Sequence, residues 1–476
     1  MSLLIKINDE AVSLAPGTRI TYESFNPMFD FGGVRGSKAW RFSIPKSRPN
    51  DKVFGFAGDL GNVSPVPKLR MEMRVAGGML DFGTATLEDV TDTGYETSFG
   101  QDLSNFFGEY GSRELRTIDF GSEALPANHK DILPEFFDGD RLRYCLPKLK
   151  NGTYYKDDAG LNYDGYMNSY DGADYAANSP KCPMLGFHFV LKKLAELAGV
   201  KIAGEFMEDA KMKRLHFFST VDTFGMTVLR YADFLPKSLT ANGLLRSLTL
   251  PPLGVNVYFD NLTKTVTLNY MDSCFSAIKY LNYSDKVLPN MKPEQFKNKR
   301  IELDWQLDSS DGEMKIIPDE LAAYRIGDGA DLLSLKGVFS TLKMLDGLPV
   351  VAMEGITTRI EQAGADFSPR LLFWNGVVSD VPTSSTTQDG LTLRLDGAGG
   401  LVAAYWANFV RFWLSTVGVN VQARLSANDL DLFNFHKKKG EYVGFYAQGH
   451  HFFVDSVRAE LPLNGGISTM RCFLKR

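Results

Sequence analysis

Residues 69–87 read LRMEMRVAGGMLDFGTATL. Leu69, Met71, Met73 and Val75 alternate with Arg70, Glu72 and Arg74, which is the two-residue period of a strand with one apolar and one solvated face. Gly77-Gly78 is placed to supply the positive φ of a tight hairpin turn, and Leu80 and Phe82 continue the pattern on the return strand. The stretch therefore predicts an antiparallel hairpin that buries one side.

The flanking sequence carries the same signal. Leu3–Ile7 and Ala11–Leu14 flank the turn residues Asn8 and Asp9. From Arg19 to Phe25, Ile20, Tyr22 and Ser24 share one face and Thr21, Glu23 and Phe25 the other, until Asn26-Pro27 stops the strand. Trp40–Ile44 forms another short strand, ended by Pro45. Residues 1–115 thus read as an N-terminal antiparallel β domain with one solvated face.

Further along, residues 116–180 read as a connecting region. Residues 149–179, within and beside the run KNGTYYKDDAGLNYDGYMNSYDGADYAANSP (150–180), hold no lasting period and predict a long loop. Residues 181–290 read as a small α+β domain. Phe187, Val190, Leu191, Leu194, Leu197 and Ala198 form a helical stripe, with His188, Lys192, Lys193 and Glu196 on the other side and Gly199 placed to end it. A second helix is expected over Ala241–Leu248, then a hairpin of Val255–Phe259 and Lys264–Tyr270 around Asp260-Asn261.

Residues 291–380 read as a β-rich domain, with strands at Arg300–Leu307 and Arg370–Trp374. Residues 381–476 read as a helix plus an antiparallel meander or barrel. Trp406, Phe409, Val410, Trp413, Leu414 and Val417 set the helical stripe, Gly418 its stop, and Ser426 with Asp429 a capping box. The fold class expected is α+β, mainly β: multidomain antiparallel sheets or small barrels with a few amphipathic helices.

Bulk numbers agree with this reading. The 476 residues exceed one ordinary domain, and 44% hydrophobic with 23% charged residues is the balance of a folded chain with real cores. Aromatics at 12% favour strands. The net charge of −5, with no strongly basic domain, argues against a DNA-gripping role. Four cysteines without CxxC spacing read as free, mostly buried thiols from a reducing compartment. Neither a signal peptide nor a membrane-length apolar run is found, so synthesis in the cytoplasm is expected.

The search for chemistry finds no P-loop, HExxH, GxSxG or strand-borne GxGxxG pattern. No catalytic residue, cofactor or metal site is assigned. His450-His451 are strand neighbours expected on opposite faces, one inward and one outward. The 57 acidic residues leave room for a carboxylate pair of the glycosidase kind, but no motif selects one. In the 149–179 loop, Asp157, Asp158, Asp164, Asp171 and Asp174 lack the spacing of a calcium loop. Tyr154, Tyr155, Tyr163, Tyr166, Tyr170 and Tyr175 are the candidate contacts for a partner or a glycan, against a plain subunit-contacting loop. The aromatic stripe around Trp406 reads as core, and Lys437–Gly440 as a solvated turn.

Several blocks, in order along most of the chain, resemble a family of tail proteins from phages and prophages of Bacteroidetes bacteria. They include LLIKINDEAVSL (3–14), WRFSIPKSRPNDKVFGF (40–56), FVLKKLAELAGVKIAGEFMEDAKMKRLHF (189–217) and FLPKSLTANGLLRSLTLPPLGVNVYFDNLTKTVTLNY (234–270). PRLLFWNG (369–376), GLTLRLDG (390–397), GLVAAYWANFVRFW (400–413) and the stretch 423–461 complete the series. The tyrosine-rich loop departs from the pattern.

The resemblance implies a tail-tip or baseplate-hub-like structural protein located in the virion tail, not an enzyme. By architectural analogy, it implies a homo-oligomer, with a trimeric ring as the model, contacting tail tube, spike and tape-measure proteins, with DNA only as passing cargo. Two other readings stand beside it: a tail-associated polysaccharide or peptidoglycan hydrolase, and a peripheral glycan- or receptor-binding tail protein.

Overall fold

The computed structural model describes residues 2–33, 35–59, 61, 68–101, 103, 106–126, 131–154, 163–295, 297–353 and 367–475. Strand exceeds helix by 39% to 18%, so the chain is mainly β, built from several antiparallel sheets and few helices.

The largest sheet has thirteen strands and is made from the two ends of the chain. Its N-terminal members are β1 (Leu3–Ile7), β2 (Glu10–Ala11), β3 (Ile20–Phe25), β4 (Lys38–Pro45), β5 (Leu69–Val75), β6 (Gly78–Val90) and β7 (Gly94–Gly100). They follow the order β2-β1-β5-β6-β7-β4-β3. Beyond β3 lie His450–Leu461, Ser468–Lys475, Val417–Ala423 and Lys292–Pro293 in turn. Strand Gly444–Ala447 also pairs with His450–Leu461 and carries Tyr280–Asn282 on its other side.

On β5 and β3 the period-2 reading places the faces correctly, but on the return strand a register shift between Met73 and Arg74 buries Asp81 and leaves Phe82 on the charged face opposite Glu72. Leu69, Met71, Met73 and Val75 are buried, as are Ile20, Tyr22 and Ser24. The β5–β6 turn sits one residue earlier than expected. Ala76 and Gly77 take the positive φ values, 51° and 82°, and Val75 pairs with Gly78. The closing pair fixes the two loop residues, so Gly78 is already a strand residue.

Three helical expectations are refined. Helix Phe187–Leu197 buries His188 as well as its apolar stripe. The segment Glu205–Glu208 covers that side, with the Phe206 ring 4.7 Å from the imidazole. Helix Ala241–Leu248 starts where Thr240 accepts the Gly243 amide at 3.0 Å. The C-terminal helix, Ala407–Ser415, follows a π-helical turn at Val402–Trp406 and ends before Val417. Gly418 is therefore no helix stop. It lies in strand Val417–Ala423, where a Cβ would come within 2.4 Å of the Glu294 carboxylate. The capping box of Ser426 and Asp429 forms in full.

The seam between the two chain ends is β3 against His450–Leu461, from Ile20 opposite Leu461 to Phe25 opposite Ser456. Polar side chains lock it. Asn26 donates to the Val454 carbonyl at 2.8 Å and Ser24 to the Phe433 carbonyl at 3.0 Å. Asn434 donates to the Leu80 carbonyl at 2.9 Å. The buried Asp81 accepts from Tyr22 at 2.8 Å and from Gln101 at 2.6 Å. Burial pushes the Asp81 carboxyl up to about 6, although these hydrogen bonds pull it down.

Removing the Tyr22 hydroxyl leaves a buried carboxyl short of a donor, a change that costs about 1–3 kcal/mol. Tyr22→Phe is expected to lower the urea midpoint accordingly. Arg19→Ala, at an exposed pair with Glu460, should change stability by no more than about 1 kcal/mol.

Candidate functional site

The tyrosine-rich segment divides between interior and surface. Tyr154 and Tyr175 are buried, which corrects their expected role as outward contacts. Tyr154 donates to the Thr220 carbonyl at 2.8 Å, and Tyr175 packs on Tyr170 at 4.9 Å, across a turn whose amides are held by Asp171. Large rings at these positions fill a core that the low periodicity of the sequence concealed. Tyr163, Tyr166 and Tyr170 are half-buried. Tyr155, Asp157 and Asp158 lie outside the described residues.

Tyr166 belongs to a four-stranded sheet, in the order Tyr166–Met167, Leu149–Lys150, Leu348–Val350, Lys343–Leu345. Two further tips adjoin it. Hairpin Leu371–Val378/Val381–Ser385 brings Asp380 against Gly172 and accepts the Lys148 amide on Pro382. Segment 312–321 meets Met344 through Glu320 and Lys343 through Glu313. These neighbouring pieces carry exposed apolar side chains: Ile316 at 87% exposure, Ile317 at 58%, Val378 at 54%, and also Val377 and Leu345. Ile316 and Ile317 lie beside the Lys343–Leu345 edge of this sheet, and Val377 and Val378 lie at the hairpin near its Leu149–Lys150 side.

Beneath the same region lies the most strongly organised charge centre. Arg370 is fully buried and donates to Asp308 at 2.5 Å and Asp311 at 2.6 Å, with its guanidinium carbon 5.1 Å from the Phe218 ring. Asp311 also accepts the Glu313 and Ala352 amides, and Asp308 accepts the Ser310 hydroxyl. The centre thus ties four separate segments together. A cleft of about 480 Å³ opens beside it, lined by Asp308, Gln306, Ser310, Ser368 and Phe367 among others. Burial alone would raise the Asp308 carboxyl, but Arg370 and Ser310 outweigh it and hold the group well below the usual carboxylate range. A carboxylate held ionised in this way is a poor proton donor to a leaving group.

A serine–histidine pair also exists. The Ser384 hydroxyl is 2.8 Å from His216 Nε2, but both residues are fully buried. It joins strands Leu215–Phe217, Leu371–Val378 and Val381–Ser385 inside the core, out of reach of a substrate. The two partners are 168 residues apart, so spacing could not have revealed them. His450 and His451 are both exposed, because the His451 ring leans on Tyr280 and Tyr446 instead of turning inward. All four cysteines are free and buried. Among the described residues, no group of three or more His, Cys, Asp or Glu could hold a metal ion, and no helix is long and apolar enough to cross a membrane.

No protein-family model matches the sequence. No curated protein matches it either. Among solved structures, the chain is similar to the prophage MuSo2 43 kDa tail protein from Shewanella oneidensis, at TM-score 0.40 and 9% identity, covering 99% of this chain and 98% of that one. It is also similar to the tail protein from Neisseria meningitidis MC58, at TM-score 0.36 and 10% identity, covering 99% and 96%.

Two outcomes follow from the buried charges. Arg370→Met strands two interior carboxylates and should cost about 3–5 kcal/mol in denaturant unfolding. Adding Asp308→Asn and Asp311→Asn should recover part of the loss.

The second concerns acid. Burial pushes His188 down to about 3, and His216 and His436 down to about 4. Their unfolded values lie near 6.5, so between about 6.5 and about 4 the unfolded chain binds more protons. Stability therefore falls as pH falls through that window, by about 1.4 kcal/mol per pH unit for each group. Asp81, raised when folded, offsets one histidine below about pH 6. Unfolding midpoints should drop between pH 7 and pH 5. His188→Leu, which removes a ring whose nitrogens have no hydrogen-bond partner among the described residues, should flatten the slope.

Proposed function

We propose that the chain is a structural subunit of a phage or prophage tail: a hub-like adaptor between the tail tube and the spike or baseplate, whose copies close a ring for DNA passage. The observation that carries this reading is the set of exposed apolar side chains on the two segments that adjoin the four-stranded sheet of Tyr166–Met167. Water-exposed Ile316, Ile317 and Val378 suit a surface that a sister subunit covers, since the centres of stable interfaces are apolar.

The sequence blocks that resemble tail proteins support it. PRLLFWNG supplies the buried Arg370 and the inner strand Leu371–Val378, and GLVAAYWANFVRFW supplies the buried Trp406 and Phe409. Both blocks thus contribute large side chains to the interior. The mechanism is mechanical: a stiff sheet positions contact surfaces, symmetric copies bury them, and the closed ring leaves an axial path. Obligate interfaces of this sort bury about 2,000 Å² or more. The partners in this reading are the tail tube, spike and tape-measure proteins, and the location is the virion tail.

Mass photometry and negative-stain imaging of the full chain, alone and with tail-tube protein, test this. The expected result is a closed oligomer, trimeric in the simplest case, with a central opening. Ile316→Asp/Ile317→Asp/Val378→Asp should shift it to monomer with unchanged circular dichroism. A wild-type chain that stays monomeric in both conditions overturns the reading.

A further inference from the structure

On the far side of the β5–β6 hairpin, a groove of about 330 Å³ runs between the N-terminal sheet and the turn joining strands Val255–Asp260 and Thr265–Tyr270. Three cations converge on it: Lys68, Arg70 and Lys264. All three are exposed, and none forms an ion pair among the described residues. Glu72 pairs with Arg74, and Asp260 accepts the Leu262 and Thr263 amides. In a chain of net charge −5, three cations without an ion-pair partner among the described residues line one groove, and like charges so gathered favour an anion.

The rest of the groove adds a second kind of recognition. Phe82 and Phe106 are half-buried in its wall, with the Arg70 guanidinium carbon 5.4 Å from the Phe82 ring and Phe106 fixed on Phe259 at 4.7 Å. Thr84 lies directly opposite Arg70 across the β5–β6 pair. Cations beside fixed aromatic rings are the combination that holds a phosphate and a stacked base. The volume lies at the lower end for small-ligand sites.

We propose that this groove binds a nucleoside phosphate unit, either as a free nucleotide or as one residue of a single nucleic-acid strand. The phosphate sits among Lys68, Arg70 and Lys264, and the base stacks against the Phe82 side. This site is independent of the tail-subunit reading and stands or falls separately.

The full chain is titrated with a short labelled oligothymidylate by fluorescence anisotropy and with ATP by calorimetry, at about 50 and 200 mM salt. The wild type is expected to bind at least one probe. For the oligonucleotide, the slope of log affinity against log salt should be about −0.7, from the one phosphate held among the three cations. Lys68→Glu/Arg70→Glu/Lys264→Glu should weaken binding at least about tenfold. The equally charged control Arg300→Glu/Lys336→Glu/Arg424→Glu, at exposed positions elsewhere, should stay within about twofold of wild type. Phe82→Leu should cost about fivefold or more.

Binding of the oligonucleotide alone assigns a strand, and comparable binding of ATP assigns the free nucleotide. Binding of neither probe, or equal loss in the control variant, overturns the site. So does displacement of the probe by heparin with Phe82→Leu unchanged, which would leave only a generic polyanion surface.

Discussion

The pairing of β3 with strand His450–Leu461 is the constraint on which the rest of the architecture hangs. Its partners are more than 430 residues apart, as Thr21 opposite Glu460 shows. Closing so long a loop costs conformational entropy that grows only slowly with length, and the register then aligns every inward residue on both sides. Once Ile20, Tyr22 and Ser24 face the same core as Val457, Ala459 and Leu461, the strands of the two chain ends share one hydrophobic layer. Everything between residues 100 and 417, apart from two short edge strands, is then excursion from that sheet. Such non-local topology also makes folding slow compared with helical proteins of similar stability.

Local chemistry was legible in the sequence, and long-range chemistry was not. The alternation at residues 69–75 and the Ser426–Asp429 box each act within a few residues, so the chain spells them out. The β5–β6 turn was off by one because AGG offers two glycines, and only the cross-strand register decides which one bends. His188 was assigned to the solvent side because its own helix leaves it there; Phe206, from the next element, covers it. Tyr154 and Tyr175 failed as surface candidates for the same reason. A segment without period can still be interior when its partners, here Thr220 and Tyr170, arrive from elsewhere in the fold or across a turn.

The polar interior explains how a mainly apolar core settles on one arrangement. Apolar contacts tolerate sliding, whereas Arg370 between Asp308 and Asp311, or Asp81 between Tyr22 and Gln101, satisfies its charges in one geometry only. A buried pair of this kind adds little net stability, because desolvation consumes much of the Coulomb gain. Its effect lies in the penalty on alternatives: any packing that separates Arg370 from its acids leaves bare charge in the interior. The centre binds together the loop at 308–314, the strand at 371–378 and Phe218, the same region whose tips expose Ile316 and Val378. Rigid support below and apolar exposure above is the arrangement that lets a surface meet a partner without first paying to order itself.

Whole-chain averages mislead about surfaces for a related reason. A net charge of −5 rules out a broadly basic protein but says nothing about where cations lie. On β5 the alternation sends Lys68, Arg70, Glu72 and Arg74 to one face. Arg74 then claims Glu72, which leaves Lys68 and Arg70 uncompensated at one end of the strand, where the turn at Lys264 approaches. The same two-residue period that builds the core by burying Met71 and Met73 thereby builds a charged groove on the reverse side. The strand therefore has two faces with different work to do, one holding the sheet to its core and the other presenting a surface whose charge is unbalanced until something anionic occupies it.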